Sequence, residues 1–232
     1  MIKSLFITAT GTDVGKTYVS ALLVKKMRED GYNCGYYKPV LSGAIVDADG
    51  HVVPGDCKYV VDTAKLNVEP MDCLSYCFTE AVSPHLAAKR IGETISKTKI
   101  FEDYDKLKQS YNYMILEGAG GITCPLCDAP QRSEMFLLSD LVRNMNKDVV
   151  VVADGGLGTI NSVVTTIEFI RLSGITVKGI ILNNFDKNNF MHRDNLYMIE
   201  KMTDVNVIAT IAKGEDDINI DKELLESMFK ED

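Results

Sequence analysis

Thr10-Gly11-Thr12-Asp13-Val14-Gly15-Lys16-Thr17 is the stretch whose reading decides the fold. It follows an apolar run, Leu5–Ala9, and opens a segment, Lys16–Glu29, in which Val19, Leu22, Leu23 and Met27 recur at helical spacing before Gly31 offers a stop. A glycine-rich turn between a strand and a helix N-terminus presents backbone N–H groups to phosphate oxygens. The Lys16 ammonium then reaches the β- and γ-phosphates, and the Thr17 hydroxyl is placed for Mg²⁺. The strict spacing of such a loop puts glycine at position 10, where this chain has Thr10, with Gly11 one place late.

Outward from this loop, strand-like runs alternate with helix-length segments to the end of the chain. Further strands are expected at Cys34–Lys38, Tyr113–Leu116, Val149–Ala153, Val177–Leu182 and Val205–Ile211, several apolar throughout, as strands covered on both faces are. Further helices are expected at Pro84–Ile91, Phe101–Gln109, Glu134–Asn144, Ile160–Ser173, Asn189–Met202 and Asp221–Phe229. This rhythm implies an α/β fold, a doubly wound and mainly parallel sheet flanked by helices. No linker or repeat interrupts it, so residues 1–232 are read as one domain. Residues 41–56 break the pattern as a long Gly- and Asp-rich connection, beginning where an open α/β sheet binds its ligands.

The 232 residues carry 25 Lys and Arg against 33 Asp and Glu, a net charge of −8, which gives no long-range attraction to nucleic acid or to an anionic membrane surface. The nearest basic run, Lys25-Lys26 with Arg28, falls on a solvated helix face. The first apolar run is too short for an export signal, and no segment approaches the ~20 residues of a membrane span, so a cytoplasmic location is expected. The six cysteines are then expected as thiols. Cys124 and Cys127 form a C-x-x-C, but no second pair completes four ligands and no helix follows as in a redox motif.

Two further constellations share the crevice. Tyr36-Tyr37-Lys38-Pro39-Val40-Leu41-Ser42-Gly43 ends the second strand, and Lys38 is either a cation for developing negative charge or a solvated strand terminus. Met114-Ile115-Leu116-Glu117-Gly118-Ala119-Gly120-Gly121 ends a buried-type strand in a carboxylate and a tight turn, where Glu117 suits a metal bound beside phosphates. Asp56 is a candidate second acid, with Asp47 and Asp49 its local rivals. The three histidines, His51, His85 and His192, make no nucleophile–base arrangement with any Ser or Cys.

Together, Thr10–Thr17, Tyr37-Lys38-Pro39-Val40-Leu41-Ser42-Gly43, Ser83-Pro84-His85 and the run from Glu117 through Pro125-Leu126 closely resemble the dethiobiotin synthetases, P-loop enzymes. The resemblance implies an ATP-dependent, Mg²⁺-dependent cyclo-ligase of biotin biosynthesis that closes a ureido ring on 7,8-diaminopelargonate with CO₂. Through it, Lys38, Lys16 and Thr12 take catalytic roles, and Thr12, Lys38 and Ser42 face the diamine. ATP falls to Asp13, Val14, Gly15, Lys16, Thr17 and Tyr18, with Asp56, Glu117, Gly118, Ala119 and Gly120 beside them and Asn183 and Asn184 at the base. Thr17, Asp56 and Glu117 form the implied metal shell. Gly158, Thr159, Ile160, Asn161 and Tyr197 match the segment that receives the substrate carboxylate, in this family from the partner subunit of a homodimer. The chain departs from the family pattern at Asp13 (usually Glu), Ala9 (commonly Gly) and Asn184 (often Asp), the last leaving nucleotide preference open.

Three other readings compete. A partition- or regulator-type switch ATPase uses the same cradle, but its signature lysine early in the loop is absent from Ala9–Val14. An amidotransferase-linked ligase needs a glutaminase domain, for which the length leaves no room. A non-catalytic nucleotide-binding module is separated only by a diamine-dependent ATPase assay.

Overall fold

The computed structural model describes residues 2–232. Leu5–Ala9 and Val149–Ala153 are fully buried along their length, which requires cover on both faces of the sheet they join. In chain order, β1 (Lys3–Ala9) leads to α1 (Lys16–Glu29) and β2 (Cys34–Ser42), then to a hairpin of β3 (Ile45–Val46) and β4 (Val52–Val53), α2 (Gly55–Ala64) and β5 (Leu74–Phe78). The helices α3 (Pro84–Arg90) and α4 (Lys97–Leu107) precede β6 (Tyr113–Glu117), the antiparallel pair β7 (Pro125–Cys127) and β8 (Phe136–Leu137), and α5 (Leu138–Asn144). The remainder is β9 (Val149–Asp154), α6 (Thr159–Leu172), β10 (Val177–Asn183), α7 (Phe190–Thr203), β11 (Val207–Thr210), α8 (Lys222–Ser227) and β12 (Lys230–Glu231).

The main sheet runs β11-β10-β9-β1-β6-β2-β5 with every neighbouring pair parallel, and β12 adds an antiparallel contact to β1. One face packs on α1, α2 and α8 through residues such as Leu22, Val60 and Leu225. The other packs on α3 to α7 through Ala88, Ile100, Leu141, Ile167 and Ile199. After β1 the chain moves outward to β2 and β5, returns to β6 beside β1, and then builds the opposite half from β9. The reversal at β1 opens a crevice at its carboxyl end, where α/β sheets bind ligands. Among the described residues, no helix is long and apolar enough to cross a membrane.

Several local expectations are corrected. Residues 41–56 are not one open connection: they fold into the β3–β4 hairpin and the first residues of α2. The edge strand β5 was not anticipated; Leu74, Tyr76 and Phe78 are buried while Ser75 and Cys77 are half-buried, an alternation short enough to escape notice. β2 runs past Lys38 through Pro39 to Ser42, pairing β6 over Cys34–Tyr37 and β5 from Lys38 onward. Pro39, which has no N–H to donate, thus sits where the strand changes partners. α5 starts at Leu138 rather than Glu134, because Phe136–Leu137 pairs with β7 first.

Candidate active site

The parallel register places the central residues before any side chain is considered. β2 and β6 align Tyr36 with Ile115 and Tyr37 with Leu116, so the next position sets Lys38 level with Glu117 at the carboxyl ends of the strands. Side chains two apart share a face. Tyr36, Lys38, Ile115 and Glu117 therefore all point to the layer of α1 and α2, which deliver Thr17 and Asp56 from their first turns.

Glu117, fully buried, is the hub. Its Oε2 accepts from the Tyr36 hydroxyl at 2.8 Å, and its Oε1 accepts from Thr17 Oγ1 at 2.8 Å and from Lys38 Nζ at 2.5 Å. Lys38 Nζ also pairs with Asp56 Oδ2 at 2.9 Å. Burial would draw the Lys38 ammonium down, but Glu117 and Asp56 outweigh it and hold its pKa above the usual lysine range. Burial, followed by repulsion from Lys38, lowers Lys16 to about 8. Lys16 Nζ meanwhile donates to the Gly11 carbonyl at 3.1 Å, curled back on its own loop. Burial and then Glu117 raise the Tyr36 phenol well above its ordinary value, so it remains a donor. Hydroxyl and carboxylate oxygens are the donors that Mg²⁺ takes. A cationic ammonium lies between Glu117 and Asp56, with Thr17 on the same Glu117 oxygen, so the oxygens gathered here are of the kind that a cation takes.

These residues border a cleft of about 760 Å³ that also exposes Thr12, Asp13, Gly15, Ser42, Ala119 and Gly120. The phosphate loop holds two consecutive-but-one left-handed residues, Asp13 at φ 60° and Gly15 at φ 92°. Gly15 is required twice over, because a Cβ there would also lie 2.1 Å from Asn183 Nδ2. The first turn of α1 has neither a side-chain cap nor an acidic residue, which leaves its N–H groups for an anion. Gly118 allows β6 to pass close to Leu138 and Phe6, since a Cβ there would come within 2.6 Å of Leu138 Cδ2.

The residues expected at the nucleotide base and at the substrate carboxylate stand apart from this centre. Asn183 donates to the Val14 carbonyl at 3.1 Å, and its own buried Oδ1 has no hydrogen-bond partner. Asn184, at φ 53°, donates to Asp154 Oδ2 at 2.8 Å. Tyr18 stacks on Tyr59 with ring centroids 6.4 Å apart, outside the cleft lining. Gly158, Thr159, Ile160, Asn161 and Tyr197 also do not line the cleft. The first four open α6, which α7 braces through Asn195, donating to the Gly155 and Gly156 carbonyls; Tyr197 is exposed on α7.

Of the competing loop acids, Asp56 alone reaches Lys38. Asp47 instead accepts from the backbone N–H of Asp49 and His51 in the hairpin turn, and Asp47, Asp49 and His51 form an exposed cluster. The six cysteines are free. Cys124 stands just before β7 and Cys127 ends it, and no disulfide joins them. Two residues near the centre were given no role from sequence: Tyr36, buried behind Glu117, which strand periodicity relative to Lys38 would have revealed, and Cys124, which lines the cleft.

A family model described as an AAA domain matches residues 3–218. The chain is 46% identical over 207 residues to the ATP-dependent dethiobiotin synthetase of Clostridium botulinum (strain Alaska E43 / Type E3), with 89% of each chain covered. It is 42% identical over 231 residues to the protein of the same name from strain 657 / Type Ba4, covering 100% of both, and 42% identical over 216 residues to that of Clostridium perfringens strain 13, covering 93% of each. Among solved structures it resembles FtsY from Mycoplasma mycoides, with a TM-score of 0.53 at 16% identity, covering 97% of this chain and 66% of that one. It also resembles the MinC:MinD complex of Aquifex aeolicus, with a TM-score of 0.53 at 13% identity over 91% of this chain and 81% of that one. At these identities the structural likeness speaks for the fold.

Proposed function

This chain belongs to the ATP-dependent dethiobiotin synthetase family, and on that premise we propose that it closes the ureido ring of dethiobiotin on 7,8-diaminopelargonate, with CO₂ and Mg·ATP as co-substrates. The observation that carries this reading is the meeting of two buried lysines, Lys16 and Lys38, with the oxygen donors of Thr17, Asp56 and Glu117 at the mouth of the phosphate loop. An amine of the diamine adds to CO₂ and loses a proton, leaving a carbamate. Lys38 supplies its counter-charge, and Thr12 and Ser42, both lining the cleft, orient it. The carbamate oxygen then attacks the γ-phosphorus and ADP departs. This step needs alignment and neutralised charge rather than a protein nucleophile, and the N–H groups of α1 and the Lys16 ammonium provide both. Thr17, Asp56 and Glu117 would hold Mg²⁺, which when bound neutralises charge on the β- and γ-phosphates. The second amine finally attacks the carbonyl of the mixed anhydride, closing the ring and expelling phosphate.

The remaining assignments follow from the same reading. Asp13, Val14, Gly15 and Tyr18 flank the nucleotide on the α1 side, and Gly118, Ala119 and Gly120 on the β6 side. Asn183, with its unpaired buried acceptor, and Asn184 meet the base. The start of α6, Gly158–Asn161, takes the substrate carboxylate together with Tyr197. Because these residues lie off the cleft of their own chain, a homodimer is the arrangement that brings them to a partner's substrate; Leu157 beside them is 90% exposed, and the Thr159 hydroxyl is buried without a partner.

The test is phosphate release from Mg·ATP and bicarbonate with and without 7,8-diaminopelargonate, the organic product being followed by mass spectrometry. Diamine-dependent phosphate release together with a dehydrated, CO₂-bearing product is the expected result. Phosphate release indifferent to the diamine would overturn the ligase reading in favour of a switch ATPase.

A further inference from the structure

Glu117 offers the cleft a single oxygen. Its Oε2 is turned inward and held by Tyr36, so Oε1 alone faces Thr17 and Lys38. Lys38 in turn spends its ammonium on Glu117 Oε1 and Asp56 Oδ2, the two carboxylates assigned to the cation. Its Cα is fixed within β2, paired to β5, and its side chain is almost wholly buried, so the ammonium has few places to go. The cleft that Lys38 lines is bordered also by Val40, Ser42, Gly43 and Ser83. A divalent cation bound through a carboxylate oxygen takes the same lone pairs and repels an ammonium on that oxygen.

We propose that Lys38 and the divalent cation compete for Glu117 and Asp56, so that Lys38 is held back on the carboxylates until the cation claims them and is then released toward the substrate side of the cleft. The competition rests on the assignment of Thr17, Asp56 and Glu117 as metal ligands, and the direction of release rests in addition on the proposed function. It makes Lys38 a device for ordering events: the counter-charge needed by the substrate reaches it only after the metal and nucleotide are in place. Tyr36 becomes a positioning residue, because by fixing Oε2 it obliges Lys38 and the cation to share Oε1.

The experiment measures Mn²⁺ binding to the full chain with a non-hydrolysable ATP analogue, by electron paramagnetic resonance, with no turnover involved. Lys38→Met is expected to bind Mn²⁺ roughly tenfold tighter than the unaltered chain, the scale on which groups beside metal ligands shift affinity. Equal or weaker binding would overturn the proposal. Asp56→Asn and Thr17→Ala test the ligand assignment separately: both should weaken Mn²⁺ binding, and if neither does, the assignment and the proposal built on it both fall. A crystal structure of the unaltered chain with Mg²⁺ and the same analogue gives an answer even if Lys38→Met folds poorly. Lys38 Nζ should have left Glu117 Oε1; an ammonium still bonded there would refute the competition.

Discussion

Replacing Tyr36 with Phe removes one hydroxyl and almost no volume, so its effect isolates the hydrogen bond to Glu117. The Tyr36 side chain is 1% exposed and Glu117 is 0% exposed, and the bond between them is 2.8 Å long. Water cannot replace the lost donor, and Oε2 is left as an unpaired acceptor on a buried carboxylate. A hydrogen bond to a charged group contributes about 1.5–3 kcal/mol, and the complete burial of this one places Tyr36→Phe near the upper half, about 2–3 kcal/mol. For a chain of this size each kcal/mol moves the melting temperature by about 2–4 °C, giving an expected fall of about 4–12 °C. Equilibrium urea denaturation, with an unchanged slope on denaturant, measures the same loss as free energy. The functional arm is the Mg²⁺ concentration for half-maximal activity, which changes once the Glu117 carboxylate is free to rotate and Oε2 is no longer held by Tyr36. A variant within about 1 °C of the parent, with the same Mg²⁺ requirement, would refute Tyr36 as the support of Glu117.

Lys38→Ala should lower turnover about 100-fold or more, as loss of a group that meets developing charge does, while nucleotide binding by calorimetry survives; an unchanged kcat would remove its catalytic role. Lys16→Ala should weaken nucleotide binding as well as turnover, because Lys16 meets the phosphates before any reaction; intact ATP affinity in a titration would count against it. Gly15→Ala should cost at least about 1 kcal/mol in denaturant unfolding, since a Cβ is both strained at φ +92° and 2.1 Å from Asn183 Nδ2; parental stability would show that the loop rearranges at no cost. Burial pushes the Cys124 thiol up to about 11, with Lys16 opposing weakly. The reactive thiolate is therefore scarce near neutrality, and alkylation at Cys124, followed by peptide mass spectrometry, should accelerate about tenfold per pH unit from about pH 7 to about pH 10; a flat profile would contradict the burial.

The sequence by itself determined the frame. Uniformly apolar runs such as Val149–Ala153 demanded cover on both faces, and the loop from Thr10 to Thr17, lying between β1 and α1, declared an anion site. These features were legible because strand, turn and helix N-terminus are local, set by residues adjacent in the chain. Lys38, Glu117 and Thr17 could be named as candidates on the same grounds, each standing at the end of its own element. Short or shifted elements were harder to read: β5 alternates over five residues, and β8 borrows its pairing from β7 across eight intervening positions.

Only the tertiary structure decided how the candidates relate. Strand register set Lys38 beside Glu117, although 79 residues separate them, and made Tyr36 the hidden third member of that pair. The folding of residues 41–56 chose Asp56 over Asp47 and Asp49, because a hairpin turned two of the acids outward and a helix start turned the third inward. Those distinctions rest on contacts between segments far apart in sequence, and on the burial that makes one charge answer another. No property of a residue and its chain neighbours encodes either until the sheet has closed around them.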